Sequence, residues 1–541
     1  MNVQICLLSL AVASGLAMSS SVDAAGNQKA AAISRASAMV NGPAANAVRR
    51  ANADAFKARD AVVDADGAEH VRFERSYRGL PVIGGDFVVH SRNGKLAKVS
   101  QTLKSSARPS TTPRIDRDQA IVEAGARFGG NFIGAPSSRL VIYARGTSPV
   151  LAHEVTLNGI KPDQTPTEMH YFVDAGTGKI LDQWDGVHTA RPGPGGGSCT
   201  ATAAVGTGNS LTLGGVVLNT SACGGQYQLK DLSRGGGKTT NMALKTAGLG
   251  SDYVDADNIW GNGLLSNSQT VAADAHFGVA MTWDYFKNVH GRNGIAGDGK
   301  GALSRVHYGR NYQNAFWSDG CFCMTFGDGD NGASILPLVG LDIAGHEMSH
   351  GVMSSTANLV YSGESGGLNE ANSDIFGAMV EYRTNSANDT PDYVIGEKLF
   401  PNNANMSKAI RWMFKPSLDG VSYDCYAPGF GADDVHFTSG PANRFFYLLA
   451  QGAVVPAGFG AGSWANLSPS SLVCNGNTSL AGIGRGPAEQ IWYRALTVYM
   501  TSSTNYAGAR AATLSATADL YPGDTAKYNA VAAAWSAVSV N

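Results

Sequence analysis

The hydrophobic and polar positions repeat with different periods along the chain, and these periods predict where strands and helices lie. Residues 71–103 alternate apolar and polar side chains around Gly and Asn-Gly turns, which predicts an antiparallel meander. Residues 116–128 have helical spacing, and strand-like runs follow at 139–145, 151–157 and 169–186. The first third of the chain is therefore predicted to contain small α+β units.

A stretch dense in Pro and Gly, 189–198, predicts an exposed linker that proteases can cleave. Residues 199–335 are rich in Gly, Asn and Thr with short apolar runs, which predicts strands and one helix at 274–289. Helical spacing dominates the rest of the chain. It predicts helices over 338–354, 367–383, 440–450, 487–501, 506–520 and 525–539. A β-rich lobe followed by an α-rich lobe is expected.

The N-terminus has the pattern of a secretory signal peptide. An apolar run at 5–18 precedes small residues and Val22-Asp23-Ala24, which resembles a signal cleavage site. The alternative, a buried helix of a cytosolic protein, is disfavoured because nothing amphipathic interrupts the run. We therefore expect a signal peptide over 1–24 and a secreted protein without a membrane anchor, since no other segment reaches about 18 unbroken apolar residues. Residues 27–66 are Ala-rich and predict a helical or loosely ordered lead-in.

Charge and composition narrow the possible functions. The 541 residues contain 41 Lys and Arg against 43 Asp and Glu, a formal net charge of -2, so no basic surplus favours nucleic acid. Charged residues are only 16% of the chain and Gly numbers 67, a composition that we associate with exported bacterial proteins. A nucleic-acid partner is not expected.

Six cysteines remain once Cys6 is removed with the signal peptide, an even number that fits an oxidising destination. Sequence proximity favours disulfides between Cys199 and Cys223 and between Cys425 and Cys474. Cys321 and Cys323 either close a tight ring or stay reduced. Zinc binding by this last pair is the alternative, but it needs two further soft ligands and none is local.

The segment 344–377 carries the chemistry. His346 and His350 are four residues apart, so both imidazoles lie on one face of a helix, as two-point chelation of a metal requires. Glu347 follows the first histidine, where its carboxylate can reach a water on that metal. Glu370 supplies a third ligand 20 positions after His350, and Asp374 lies one turn further on to accept the outer N–H of an imidazole. Two histidines and one glutamate form the open ligand set of catalytic zinc.

With these residues, the sequence resembles the thermolysin-like family of zinc metallopeptidases, most closely its bacterial pseudolysin and vibriolysin type. The matching blocks are NAFW at 314–317, FGDG at 326–329, PLVGLDIAGHEMSHG at 337–351, SGGLNEANSDIFG at 365–377, AIRWM at 409–413 and DVHFTSGPANRFFYLLA at 434–450. The resemblance implies an α+β, two-lobed catalytic domain. A β-rich lobe over 199–353 would end in the helix that carries His346 and His350, here called the zinc helix. An α-helical lobe would cover 354–541.

The resemblance also implies a role for each matching residue. It assigns one catalytic zinc ion to His346, His350 and Glu370, and the general base to Glu347. His436 and Tyr361 would donate hydrogen bonds to the developing oxyanion, and Asp434 would orient His436. Asn314, Ala315 and Arg411 would bind the substrate.

One structural calcium ion is a further implication of the resemblance. Asp342, Glu381, Asp392 and the carbonyl of Val394 match the family's calcium site beside the zinc helix. Val394 stands where thermolysin itself has an additional carboxylate, so we expect one ion rather than two. The alternative is that these acids form a solvated helix face.

Residues 25–188 resemble a propeptide, with a fungalysin/thermolysin propeptide motif over 71–103 and a PepSY-like module over 115–186. The resemblance implies an α+β propeptide that assists folding and inhibits the enzyme until cleavage between His188 and Ser198. The mature form is expected to be a monomer.

The leading hypothesis is a secreted zinc endopeptidase that cuts proteins and peptides before large hydrophobic residues. A non-catalytic exported binding protein on the same scaffold is one alternative, but it has no use for Glu347, Tyr361 and His436 together. A zinc aminopeptidase is the other, and it needs an acidic pocket for the substrate amine, usually in a G-x-M-E-N motif, which we do not find.

Overall fold

A computed structural model describes residues 13–128, 132–187 and 201–541, with side chains from Gly26 onward. The predicted linker at 189–198 and the apolar start of the predicted signal peptide lie outside the described residues. The chain divides into two compact units. One extends to Arg114 and includes Leu140–Ala152, and the other contains Ile115–Arg139 and His153–Asn541.

The first unit is a helix on an antiparallel meander. Its elements are α1 (Ala13–Asn41), β1 (Asp54–Val63), β2 (Ala68–Tyr77), β3 (Leu80–Ile83), β4 (Phe87–Arg92), β5 (Lys95–Gln101) and the end of β6 (Ser137–Tyr143). The strand order is β5-β4-β2-β3-β6, and β1 also pairs with β2. Val40 of α1 packs on Val71, Phe73 and Phe87. The meander is confirmed, whereas β1 lies in the stretch predicted to be helical or loosely ordered.

The second unit starts with most of the module predicted over 115–186, whose residues Leu140–Ala152 belong to the first unit. Its elements are α2 (Arg117–Phe128), β7 (Val150–Ile160), β8 (Pro166–Asp174) and β9 (Ile180–Asp185), with strand order β7-β8-β9. Ala120 and Ala124 of α2 pack against Val155, Tyr171 and Val173 of the sheet. The predicted helix and strands are confirmed here: the helix buries residues four positions apart, and the strands alternate apolar and polar residues.

A β-rich lobe follows. Its elements are β10 (Thr202–Asn209), β11 (Gly215–Cys223), β12 (Gln226–Gln228), β13 (Lys230–Asp231), β14 (Gly237–Asn241), β15 (Ser251–Asp252), β16 (Val254–Asp255), β17 (Ile259–Trp260), α3 (Ser268–His290), β18 (Leu303–Tyr308), β19 (Ala315–Ser318) and β20 (Cys323–Gly327). One sheet has the order β16-β12-β11-β10-β17, and the other has β13-β14-β18-β20-β19 with β15 on β14. Asn267 caps α3, so this helix begins before the predicted start at 274.

The remaining elements are mostly helical. They are α4 (Leu341–Ser354), α5 (Gly363–Thr384), β21 (Val394–Ile395), β22 (Arg411–Trp412), α6 (Val435–Thr438), α7 (Gly440–Gln451), α8 (Arg485–Arg494), α9 (Tyr506–Leu520) and α10 (Thr525–Ser536). The helix predicted over 487–501 ends as a π-helical turn, Ala495–Tyr499. The α+β class and the order of a β-rich lobe before a helical one are confirmed. None of the helices in the described ranges is long and apolar enough to span a membrane.

Glycine at the crossing of α4 and α5 lets these two helices approach closely. A Cβ at Gly377 would lie 2.6 Å from the Asp342 carbonyl oxygen, and one at Gly345 would lie 2.9 Å from the Gly377 Cα. Neither position can hold a side chain without moving a helix. The close crossing brings His346 and Glu370, on different helices, to the same place.

Two disulfides join described cysteines. Cys425 bonds to Cys474 as predicted, and Cys321 bonds to Cys323, which excludes the zinc alternative for that pair. Cys223 is also disulfide-bonded. Its predicted partner, Cys199, lies outside the described residues.

Candidate zinc centre and active-site cavity

Three metal-ligand side chains converge where α4 and α5 cross. His346 and His350 lie one turn apart on α4, and their Nε2 atoms are 3.0 Å apart. Glu370 on α5 brings Oε2 to 3.6 Å from the Nε2 of His346 and Oε1 to 3.4 Å from the Nε2 of His350. The three buried side chains are close enough to hold one ion. Because α5 begins at Gly363, Glu370 lies two turns inside it, not at the predicted start.

Each imidazole is oriented by a contact at its other ring nitrogen. Asp374 Oδ1 lies 2.9 Å from His346 Nδ1, as predicted, and Asn369 Oδ1 lies 2.8 Å from His350 Nδ1. Acceptors at Nδ1 favour the tautomer that leaves Nε2 free for a metal. Asn369 was not singled out from the sequence, although it directly precedes Glu370.

The Glu370 carboxylate has the properties of a metal ligand. Its Oε2 is buried without a hydrogen-bond partner, which is costly unless a cation occupies the space beside it. Burial favours the neutral acid, but His436, His346 and His350 outweigh burial and lower the pKa of Glu370 to about 2. The carboxylate is therefore ionised at neutral pH. Two imidazole nitrogens and an unsatisfied carboxylate fit zinc.

Arg411 is tied into the same charge network. Its Nε donates to Asp374 Oδ2 at 2.7 Å and its Nη2 to Oδ1 at 2.5 Å, and Asn443 donates to Oδ2 at 2.7 Å. Burial would raise the pKa of Asp374, but Arg411 and His346 hold it well below its usual range. Arg411, predicted to bind substrate, therefore also fixes the carboxylate that orients a zinc ligand.

Glu347 lies beside the ligands with an unused carboxylate oxygen. It lines the same cavity, and its Oε2 is buried without a hydrogen-bond partner. Burial raises the pKa of Glu347 to about 7, with His346 opposing and Glu370 adding to the shift. A carboxylate with a pKa near 7 suits a general base that works at neutral pH.

Tyr361 and His436 approach the centre from other segments. The Tyr361 hydroxyl donates to Glu370 Oε1 and lies 3.2 Å from His436 Nε2. His436 Nδ1 lies 2.7 Å from Asp434 Oδ1, as predicted. Burial and the charge of Glu370 raise the pKa of Tyr361 well above its ordinary value, so the phenol keeps its proton. Both side chains can present a hydrogen to an oxygen in the cavity.

A cavity of about 200 Å³ opens onto these groups. It is lined by the zinc-ligand set, by Glu347, Tyr361 and His436, and by the predicted substrate-binding residues Asn314, Ala315 and Arg411. Ala315 begins β19, the last strand of its sheet. Four residues of the predicted propeptide line the same cavity: Lys161, Thr165, Asp185 and Val187.

The loop between β7 and β8 contacts the segment before β19. Gln164 Oε1 accepts from the Arg310 backbone N–H at 2.9 Å, and Gln164 Nε2 donates to the Arg310 carbonyl at 2.8 Å. Thr165 Oγ1 lies 3.0 Å from the Tyr312 hydroxyl. Val187 packs against a buried cluster that includes Tyr312. This part of the chain therefore covers one end of the cavity.

A second group of acids, the acidic cluster, lies next to the zinc helix; Asp392 is half-buried and the other members are buried. It comprises Asp342, Glu381, Asp389, Asp392 and Glu397. Carboxylate oxygens of Glu381, Asp389 and Glu397 lie within 4.8 Å of one another. Four carboxylate oxygens, one each from Glu381, Asp389, Asp392 and Glu397, are buried without a hydrogen-bond partner. Such oxygens suit a hard cation such as calcium.

Like charges and burial act together in the acidic cluster. Burial raises the pKa of Asp342 to about 7, with the charge of Asp389 adding to the shift, and it raises the pKa of Asp392 to about 7 as well. The charges of the predicted Asp342 and Asp392 add to the raised pKa of Glu381, but the carboxylate oxygens that lie within 4.8 Å of one another belong to Glu381, Asp389 and Glu397. Asp389 and Glu397 were missed, although the acids in the loop after α5 were a visible signal.

Val394 lies at the edge of this cluster. Its backbone N–H donates to Asp392 Oδ1 at 2.6 Å. Glu397, three residues further on, supplies a carboxylate outside the predicted ligand set. The cluster is therefore richer in acids than the predicted ligand set.

The fold and this constellation define a metallopeptidase, and sequence comparisons specify its family. Residues 205–354 match the thermolysin metallopeptidase catalytic domain, residues 357–540 match the thermolysin metallopeptidase alpha-helical domain, and residues 54–103 match the fungalysin/thermolysin propeptide motif. The chain belongs to the thermolysin family of metallopeptidases and carries its propeptide motif. The family implies a catalytic zinc ion.

Named relatives have similar domains. The chain is 45% identical over 488 residues to the transglutaminase-activating metalloprotease of Streptomyces mobaraensis, covering 89% of this chain and 60% of that protein. It is 37% identical over 489 residues to thermolysin of Alicyclobacillus acidocaldarius, covering 87% and 83%. Among solved structures, the precursor of protealysin from Serratia proteamaculans aligns with a TM-score of 0.43 at 28% identity, covering 56% of this chain and 87% of that one.

Proposed function

We propose that this chain is a secreted zinc endopeptidase, made as a preproenzyme, that cleaves proteins and peptides on the N-terminal side of large hydrophobic residues. The observation that carries the proposal is the convergence of the ligand triad with Glu347, Tyr361 and His436 in one cavity. A binding protein on this scaffold would gain nothing from a buried, unpartnered base beside the ligands. The predicted signal peptide at 1–24 supports secretion.

In the proposed mechanism, His346, His350 and Glu370 hold the zinc. Zinc, when bound, lowers the pKa of a water ligand to about 7 and polarises the scissile carbonyl. Glu347 accepts the proton of the attacking water and passes it to the leaving amine. Tyr361 and His436 donate hydrogen bonds to the oxyanion that develops on the carbonyl oxygen, where one donor is worth about 3 kcal/mol.

The apolar lining supports the proposed specificity. Leu338, Ile343 and Ile410 line the cavity close to the zinc ligands. A large hydrophobic side chain after the scissile bond would gain about 25 cal/mol for each Å² of apolar surface that it buries there. Asn314, which precedes the edge strand, and Ala315, which begins it, are proposed to bind the substrate backbone.

Residues 25–188 are proposed to act as an intramolecular chaperone and inhibitor. The presence of Lys161, Thr165, Asp185 and Val187 in the cavity lining supports inhibition, because a peptide cannot enter the space that these residues occupy. The contacts of Gln164 with Arg310 and of Thr165 with Tyr312 hold this segment beside the catalytic domain. Cleavage is proposed between His188 and Ser198, after which the mature enzyme would be a monomer.

The acidic cluster is proposed to bind calcium. Its unpartnered oxygens supply the hard donors that this ion needs, and Asp342 lies one turn before His346 on the zinc helix. Calcium would therefore stabilise the helix that presents two zinc ligands. Asp389 and Glu397 extend the ligand set beyond Asp342, Glu381, Asp392 and Val394.

Glu347→Gln tests the catalytic proposal most directly. It keeps the zinc ligands and removes the base, so peptide hydrolysis should fall by about 100- to 10,000-fold. Zinc content by elemental analysis should be unchanged, and unprocessed proform should accumulate if maturation is autocatalytic. Glu489→Gln is the matched control, because it changes a half-buried acid on α8 outside the cavity.

The metal is tested on the parent protein. Zinc chelation should abolish hydrolysis, and added zinc should restore it. Full activity of metal-free protein, or of pure Glu347→Gln protein, would contradict the mechanism.

A further inference from the structure

The hairpin β19–β20 places an edge strand beside the zinc centre. β19 is the last strand in the order β13-β14-β18-β20-β19 and pairs there with β20. Ala315 lies opposite Phe326, and Ser318 lies opposite Cys323. Trp317 of β19 lines the cavity that holds the zinc ligands. An extended peptide in this cavity can therefore add to the free side of β19 by backbone hydrogen bonds.

The turn of this hairpin is joined to the zinc helix. Asp319 Oδ1 accepts from Trp317 Nε1 at 2.6 Å and from the Ser354 hydroxyl at 2.7 Å. Ser354 is the last residue of α4, which carries His346 and His350. One carboxylate oxygen thus connects the edge strand to the helix that presents the metal ligands.

A second constraint closes the same turn. The Cys321–Cys323 disulfide bridges two residues separated by one, and Cys323 is the first residue of β20. Between them, Phe322 has a φ of 51° and packs its ring edge-on at 5.2 Å from Trp317. A left-handed conformation is unfavourable for a bulky residue, so the covalent ring and the aromatic contact hold it in place.

We propose that Asp319 and the Cys321–Cys323 disulfide are positioning residues that fix the register of β19 against the zinc helix for extended substrates. Neither group lies among the residues that line the cavity, so both act through Trp317 and the strand. The proposal rests on the proposed peptidase function and deepens it. It predicts that their importance grows with substrate length.

The experiment compares two substrates with the activated enzyme prepared from the full chain. An N-blocked Gly-Leu amide spans little more than the scissile bond, whereas an octapeptide with Leu after the scissile bond can pair along β19. Asp319→Ala and the double variant C321S/C323S should raise KM for the octapeptide about fivefold or more, the loss expected for one weakened backbone hydrogen bond. The kcat for the octapeptide and kcat/KM for the short amide should stay within about twofold, because the contacts at the scissile bond are unchanged.

Controls separate positioning from stability. C425S/C474S removes the remote disulfide and should lower thermal stability without changing the ratio of the two KM values. Ser354→Ala removes the hydrogen bond from α4 to Asp319 without changing the hairpin sequence and should raise the octapeptide KM, which keeps the proposal testable if a hairpin variant does not fold. Asp319→Asn retains the acceptor oxygen and should restore most of the octapeptide KM.

The outcomes are distinguishable from failure of the proposed function. If the parent enzyme cleaves neither substrate in the presence of zinc, the peptidase proposal fails. If the parent cleaves both, and the hairpin variants change both substrates equally or neither, the positioning proposal is overturned. A selective rise in the octapeptide KM supports it.

Discussion

The zinc centre and the acidic cluster are neighbouring groups of buried carboxylates that differ in the cations beside them. At the zinc centre, Arg411 donates to both oxygens of Asp374, and histidines surround Glu370. In the acidic cluster, the ion pair among the described residues joins Lys398 Nζ to Asp389 Oδ1 at 3.6 Å. The pKa values therefore shift in opposite directions. Those of Glu370 and Asp374 are lowered, whereas those of Asp342 and the other shifted acids of the cluster are raised.

This difference predicts that the zinc centre and the proposed calcium site depend on their ions in different ways. The zinc centre balances its buried negative charge with Arg411 and imidazoles, so its geometry can persist without the metal. The acidic cluster lacks that balance, since like charges in a low-dielectric interior repel strongly. We therefore expect zinc to control activity and calcium to control stability.

Arg411→Met removes the main cation of the zinc centre and should destabilise the zinc-free protein. Losing one partner of a buried ion pair costs about 3–5 kcal/mol, because Asp374 is left as an uncompensated charge. Chemical denaturation of the zinc-free protein should show this loss as a lower midpoint. Arg92→Met, in an exposed pair with Asp66, should cost no more than about 1 kcal/mol. Equal losses in both variants would show that Arg411 does not balance the site.

Glu381→Gln should have opposite effects on protein stability in the absence and presence of calcium. Without calcium, removing one buried charge relieves repulsion, so thermal stability should rise or stay constant. With calcium, the variant loses a ligand, and the stabilisation of about 2.7 kcal/mol expected at 100 times Kd should shrink. Glu364→Gln, on the same helix outside the cluster, should respond to calcium like the parent. If Glu381→Gln and the parent showed the same calcium dependence, calcium would not bind in the acidic cluster.

The pH dependence of the calcium-free protein follows from the raised pKa values. Asp342 and Asp392 have a pKa of about 7 when folded and of about 4 when unfolded, so between these values the folded state binds more protons. The contribution of these two acids to the unfolding free energy should therefore be greatest below about pH 4 and fall as pH rises to about 7, by up to about 1.4 kcal/mol per pH unit for each extra proton. Saturating calcium should flatten this slope. A rise in stability over that range without calcium would contradict the assignment.

Local spacing made the zinc centre predictable, whereas long-range packing decided much of the rest. His346 and His350 share a helical face at any level of detail, and the distance to Glu370 matched a known family. Asn369 and Asn443 could not be assigned, because an amide becomes a partner of a histidine or a carboxylate only when two helices cross. β1 was missed because its exposed positions carry Lys, Arg and Asp among alanines, so its alternation is weak.

The acidic cluster shows the same limit. Asp342, Glu381 and Asp392 were predicted from the resemblance, but of these only Glu381 belongs to the group of oxygens that lie within 4.8 Å of one another. Asp389 lies in the loop after α5 and Glu397 lies beyond β21, and the sequence does not specify the path between them, so their convergence on Glu381 required the fold. The contacts between Gln164 and Arg310 join residues 146 positions apart and had no local signal.

The smallest expected effect concerns a carboxylate–histidine pair that differs from Asp374 and His346 in exposure. The Asp434 and His436 side chains are 53% and 47% exposed, whereas those of Asp374 and His346 are 0% and 8% exposed. Asp434→Asn retains an oxygen near His436 Nδ1 and loses a charge that water already screens, so kcat should fall by less than about fivefold, equivalent to about 1 kcal/mol. Asp374→Asn should instead lower zinc affinity by about 10- to 100-fold, because its charge is buried and orients a ligand. Zinc titration and peptide hydrolysis of the two variants measure both effects, and a larger loss of activity in Asp434→Asn would show that exposure does not rank these pairs.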